Sequence, residues 1–180
     1  MSDYDISLIS ISRMYSDKME KENQIFHSNC GEILRMGLTI ESKLDFFISN
    51  YFCHPQNYKT FLFMDLILVE RMGFGRKIDI FKEICKKENI DKELIDMVVD
   101  AVKFVNRIRN RVAHDEAFVS GQKEGIKLQK RKSVKYKKDE IKITVDLVKK
   151  VDEKRLFAIQ EIVKICMELS DPSRKKNVEW

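Results

Sequence analysis

"ILRMGLTIESKLDFFISNY", Ile33 to Tyr51, decides the fold class. Within it Ile33, Gly37, Ile40, Leu44, Phe47 and Tyr51 recur at steps of four, three, four, three and four. A helix turns every 3.6 residues, so this spacing draws one apolar stripe along one helical face. A stripe that long needs partners, and the rest of the chain supplies them as further helices. The second helix is therefore expected over Asn23 to Tyr51, and "NYFCHPQNYKT" ends it, with Pro55 as punctuation.

Outward from that stretch, a separate N-terminal helix is expected in residues 1–22, carrying Ile6, Leu8, Ile9, Ile11 and Met14. Lys59 to Arg71 reads as a third helix through Phe61, Phe63, Leu66, Leu68 and Val69, and Gly73 in "MGFGRK" fits its C-terminus. Arg76 to Lys87 follows, with Ile78, Ile80, Phe81 and Ile84. "NID" breaks it, and Asp91 is suited to cap the next helix. That helix, Lys92 to about Ala113, carries Leu94, Val98, Val102, Val105, Ile108 and Val112 on one stripe. A last one is expected from Asp146 to about Leu169, through Leu147, Val151, Ala158, Ile162, Cys166 and Leu169, stopped by "SDPS". Between the last two, apolar residues alternate with lysines: Ile126 and Leu128, Val134 and Tyr136, then Ile141, Ile143 and Val145. That period of two predicts a small β-hairpin inserted over 120–145.

The expected architecture is all-α: an up-and-down bundle of four or more main helices in a single domain, 1–180, with one hairpin excursion. The bulk composition agrees. Of 180 residues, 43% are hydrophobic, enough for a core, and only 6 are Gly and 2 Pro, too few for a turn-rich fold. No run approaches the ~20 apolar residues of a membrane span. The start, "MSDYDISLISIS", lacks the basic opening of a secretory signal. Cys30, Cys53, Cys85 and Cys166 sit inside apolar patterns and read as reduced core thiols, so a cytoplasmic protein is expected.

The net charge of +5 is concentrated. Between Gln122 and Lys138 stand Lys123, Lys127, Lys130, Arg131, Lys132, Lys135, Lys137 and Lys138 against Glu124 alone, which leaves the remainder net acidic. A local basic patch points to a polyanionic partner more strongly than a high average does. Lys130, Arg131 and Lys132 are candidates to grip an RNA backbone, with Tyr136 available to stack on a base. A solvated, lysine-rich loop is the plain alternative.

The most informative polar cluster lies in "FVNRIRNRVAHDEAF", Phe104 to Phe118. Asn110 and His114 stand four apart and share a helical face, with Arg109 beside Asn110. The helix C-terminus favours a cation, so His114 is expected to hold a proton near neutral pH. That placement alone also accounts for the histidine as a helix-end residue. Histidine moves protons, arginine holds a phosphate through two parallel hydrogen bonds, and an amide orients a partner. Together they suit metal-free cleavage of RNA, in which the ribose 2′-hydroxyl attacks the adjacent phosphorus. Two copies across a dimer axis would supply an acid, a base and two arginines.

At these residues the chain resembles a known family. "RNRVAH", Arg109 to His114, is similar to the R-x-x-x-x-H signature of the HEPN superfamily (higher eukaryotes and prokaryotes nucleotide-binding), where a polar residue often follows the arginine, as Asn110 does. "TIESKLDFFI", which holds Glu41, and "MGFGRKIDIFKEI" look like that family's helical scaffold, and the likeness runs roughly from Gln24 to Leu169. The resemblance implies a metal-independent endoribonuclease without cofactors, acting as a homodimer with the two motifs facing across a cleft. His114 and Arg109 would be catalytic and Asn110 would support them. Arg107 also falls within the family's looser spacing. It implies a toxin or antiviral-defence role, with an antitoxin protein as a possible partner. Where some relatives carry a tyrosine two residues after the histidine, this chain has Glu116, which argues against neutralisation by tyrosine adenylylation. The rival within the same scaffold is a non-catalytic module that binds a nucleotide or a protein. A plain helical interaction protein is a further alternative.

Other polar features read more plainly. His27 with Cys30, and Cys53 with His54, contain four zinc-ligand types, but neither pair has closed-site spacing. "GFGRK" lacks the glycine spacing and preceding strand of a phosphate loop. Glu41 is expected at the helix surface or against an arginine of the site.

Overall fold

A computed structural model of the chain describes residues 3–53, 60, 62, 64, 69, 71–119, 126–129 and 140–171; within the first helix, side chains are described from Asp17 onward. Four described helices form an all-α bundle: α1 (Asp3–Phe52), α2 (Phe74–Lys87), α3 (Lys92–His114) and α4 (Val145–Ser170). Between α3 and α4 lie three short strands, β1 (Glu116–Val119), β2 (Ile126–Gln129) and β3 (Glu140–Lys142).

The stripe of Ile33, Gly37, Ile40, Leu44 and Phe47 is buried, and Tyr51 is half-buried at its end. It packs against Val98, Val102, Val105 and Ile108 of α3 and Val151, Ala158, Ile162 and Ile165 of α4, so the three stripes close one core. Direction follows from specific pairs. Asn50 of α1 donates to Ser170 Oγ at 2.9 Å, at the far end of α4, while Asp152 near its start acts electrostatically on Arg35. Helices α1 and α4 therefore run the same way. Lys77 of α2 meets Glu41, and Glu88 meets Tyr51, so α2 runs with α1 as well. Helix α3 then returns against all three.

The turn between α2 and α3 is local chemistry. Ile90 N–H donates to Cys85 O at 2.9 Å and Asn89 N–H to Lys86 O at 3.1 Å, with Asn89 left-handed at φ 56°. This is the paired-bond helix stop in which asparagine is one of the few side chains that tolerate that backbone. Asp91 then caps α3, accepting from Leu94 N–H at 3.0 Å, as expected.

Several boundaries differ from expectation. The two expected N-terminal segments are one helix of 50 residues, because nothing between them breaks a helix. At 1.5 Å per residue α1 reaches about 75 Å, nearly twice α4. From Asp17 to Ile25 its side chains are exposed, apart from half-buried Glu22, and Phe26 is the first buried one. Gly73 is the N-cap of α2 and that helix starts at Phe74. Of the expected third helix, only Thr60, Leu62, Met64, Val69 and Arg71 fall among the described residues, with Val69 buried. The hairpin is a three-stranded antiparallel meander in the order β1-β2-β3, with Ala117 opposite Leu128 and Leu128 opposite Ile141. Val145 is not in a strand: Thr144 Oγ1 accepts from Leu147 N–H at 3.1 Å and starts α4 there. Val134 and Tyr136 lie outside the described residues.

Candidate functional site

The last two turns of α3 hold the polar cluster. Ile108 anchors this end of the helix in the core and Val112 is half-buried against it. Arg109 leaves the helix on the side of α1, and its stem lies on Gly37. A β-carbon built on Gly37 would stand 2.7 Å from Arg109 Cγ and 3.2 Å from Arg109 Cβ, closer than atoms pack. Glycine is therefore what lets the arginine stem lie against the α1 backbone.

From that seat the guanidinium turns back: Arg109 Nη1 donates to Asn110 Oδ1 at 3.0 Å. Its other N–H donors make no hydrogen bond among the described residues. Arg109 and His114 are five positions apart, about 140° around the helix, so their backbone positions do not share a face. Asn110 bridges them, one turn from His114 and bonded to Arg109. Asn110 and His114 are both exposed, and His114 makes no hydrogen bond among the described residues. The structure thus brings Arg109 and Asn110 into contact and leaves His114 open at the helix end.

The joint after His114 is held by a residue that sequence reasoning passed over. Arg111 forms an ion pair with Asp115, four residues on, and its Nη2 donates to Leu128 O of β2 at 3.4 Å. Both side chains of the pair are nearly buried. The clamp ties the end of α3, where His114 stands, to the meander. An Arg–Asp pair at a spacing of four was the available signal.

The remaining candidates fall elsewhere. Arg107 is exposed, with its guanidinium carbon 5.6 Å from the centroid of the Phe104 ring. Among the described residues, Glu41 does not meet an arginine. Its Oε1 accepts from Lys77 Nζ at 3.0 Å, and Asp45 stands 2.7 Å from the same ammonium, which is buried between α1 and α2. Lys77 belongs to the "GFGRK" stretch, so that stretch docks α2 on α1. Lys130, Arg131, Lys132 and Tyr136 lie outside the described residues.

Among the described residues, no group of three or more His, Cys, Asp or Glu could hold a metal ion. Cys30 lies about 33 Å along α1 from Phe52, which precedes Cys53, so Cys30 and Cys53 cannot join in one site within a chain, and His54 lies outside the described residues. Burial pushes the thiols of Cys30, Cys53, Cys85 and Cys166 upward, that of Cys85 to about 12, which makes them poor nucleophiles at neutral pH. No described helix is long and apolar enough to cross a membrane.

Comparison of the chain with protein-family models, with curated proteins and with solved structures gives no match.

Proposed function

We propose that this chain is a metal-independent endoribonuclease of the HEPN type, working as a homodimer. The observation that carries the reading is the Arg109–Asn110 hydrogen bond beside an open His114 at one end of α3. Arg109 keeps most of its N–H fork for a phosphate, because among the described residues only Nη1 is bonded. Asn110 holds one nitrogen of that fork and keeps two amide N–H donors of its own.

The reaction is an internal transesterification. His114 of one copy removes the proton of a ribose 2′-hydroxyl, and that oxygen attacks the adjacent phosphorus. The bond to the 5′-oxygen of the next nucleotide breaks. A second acid, His114 of the other copy, protonates that leaving oxygen. The products are a 2′,3′-cyclic phosphate and a 5′-hydroxyl. Arg109 neutralises the charge that builds on the non-bridging oxygens. One chain offers a single histidine here, which is why a second copy enters the reading. A toxin or antiviral-defence effector restrained by an antitoxin protein is the biological role that fits such an activity.

The test is purified protein with end-labelled RNA in EDTA, beside His114→Ala. Cleavage by the parent protein alone, leaving cyclic phosphate ends, supports the reading. A folded dimer that leaves several RNAs intact defeats it and favours a non-catalytic nucleotide- or protein-binding module. Equal cleavage by both proteins places the activity elsewhere.

A further inference from the structure

The exposed face of α3 does not stop at Asn110. Lys103, Arg107, Asn110 and His114 follow at steps of four, three and four, and all are exposed. They form one strip, about 16 Å long by helical rise. Asp100 lies beyond its far end, so the positive charge has a boundary. Midway along the strip, α4 contributes a second cation. Lys150 Nζ stands 5.6 Å from the centroid of Phe104, the same distance as the Arg107 guanidinium.

Two cations from two helices thus gather on one half-buried ring. The ring's negative face attracts each of them, but it does not neutralise them. Neither has a carboxylate within ion-pair distance among the described residues. Many other cations here do: Arg35 has Glu32, Lys86 has Glu83, Arg111 has Asp115, Arg155 has Asp152 and Lys164 has Glu161. Cations that flank one ring without an acid beside them form a place where an anion lowers the energy. Arg107 lies about 10 Å along the helix from His114, beyond the scissile phosphate but within reach of a neighbouring phosphate on the same strand.

We infer that Arg107 and Lys150, set on Phe104, form a backbone-phosphate subsite for single-stranded RNA, next to the Arg109–Asn110–His114 cluster. The inference rests on the ribonuclease reading for its ligand. It gives Arg107 a binding role in place of a catalytic one.

The experiment uses a fluorescent 2′-O-methyl oligoribonucleotide, which lacks the attacking hydroxyl and so reports binding alone. Anisotropy is measured over a range of salt with the parent chain, Arg107→Glu, Lys150→Glu and the double variant. Both residues are exposed, so the variants fold, and circular dichroism checks this. Each reversal should weaken binding about tenfold, and the slope of log affinity on log salt should fall by about one per lost contact. Unchanged affinity and slope in the double variant, or no binding by the parent chain, overturns the inference. The two readings fail separately. If His114→Ala cleaves RNA as well as the parent while the double variant loses binding, the subsite stands and the catalytic assignment falls.

Discussion

Arg109 lies on Gly37 so closely that the smallest side chain would not fit between them: a β-carbon there would meet Arg109 Cγ at 2.7 Å. The contact joins the middle of α1 to the polar end of α3. Gly37→Ala should therefore act on Arg109 before it acts on the fold. Overpacking costs about 1–3 kcal/mol, and alanine's better helix propensity returns about 1 kcal/mol. Stability should fall by no more than about 2 kcal/mol. On the ribonuclease reading, RNA cleavage should fall about 100-fold, the penalty for moving a positioned group by an ångström or so. Thermal melting beside single-turnover cleavage separates the two effects. Equal activity in a stable Gly37→Ala protein would show that the seat is irrelevant to the chemistry.

Arg109→Lys tests the fork itself. Lysine keeps the charge and part of the stem. It loses the planar geometry that serves Asn110 and a phosphate at once. Cleavage should drop about 100-fold with the melting temperature unchanged within about 2 °C. Asn110→Ala, which removes the amide and leaves the Arg109 fork itself intact, should cost less, on the order of tenfold. A lysine variant as active as the parent would mean that charge alone suffices there.

How much of this was legible in the sequence depends on how local the cause is. The stripes of α1, α3 and α4 were legible because each is a run of apolar residues at helical spacing, and burial follows directly. Asp91 was legible because its bond to Leu94 spans three residues. The division of α1 into two helices was wrong for a physical reason. The change at Asn23 is a change in burial, from exposed overhang to packed helix, and the backbone continues through it. Strand β1 is too short to show a period, and its pairing with β2 comes from residues seven to thirteen positions away. Gly37 stood in the stripe as one more small residue. Its role as the seat of Arg109 depends on a residue 72 positions on, which no local pattern reveals.

The Lys77 ammonium supplies a stability prediction. It is 2% exposed, and Glu41 and Asp45, each about one-fifth exposed, face it from α1. Removing one member of a buried ion pair costs roughly 3–5 kcal/mol, and the partial access of water to both carboxylates puts this case near the lower end. Lys77→Ala should lower the urea midpoint accordingly. Glu41→Gln should cost less, because Asp45 remains, and it should cleave RNA at the parent rate below its melting temperature. Loss of cleavage by a folded Glu41→Gln would bring Glu41 into the site after all.

Alkaline pH should expose two buried groups. Tyr51 is pushed up to about 12 by burial, then by its 2.6 Å hydrogen bond to Glu88 and that carboxylate's charge. Burial alone pushes Cys85 from 9.0 to about 12. Both groups are held neutral by the fold, so each favours the folded state below its unfolded value. That contribution is lost as pH climbs through the raised values. Stability should thus decline from about pH 9 to 12, as unfolded chains release the Cys85 and then the Tyr51 proton first. Tyr51→Phe loses the bond to Glu88 and should be less stable at pH 8. Its decline above pH 10 should be shallower than the parent's, and Cys85→Ala should be shallower from pH 9. Urea midpoints at pH 8, 9.5, 10.5 and 11.5 read the slopes, and the shared titration of surface lysines cancels between proteins. Parallel curves for parent and Tyr51→Phe would mean that the Tyr51 hydroxyl ionises as readily in the folded chain as in the unfolded one.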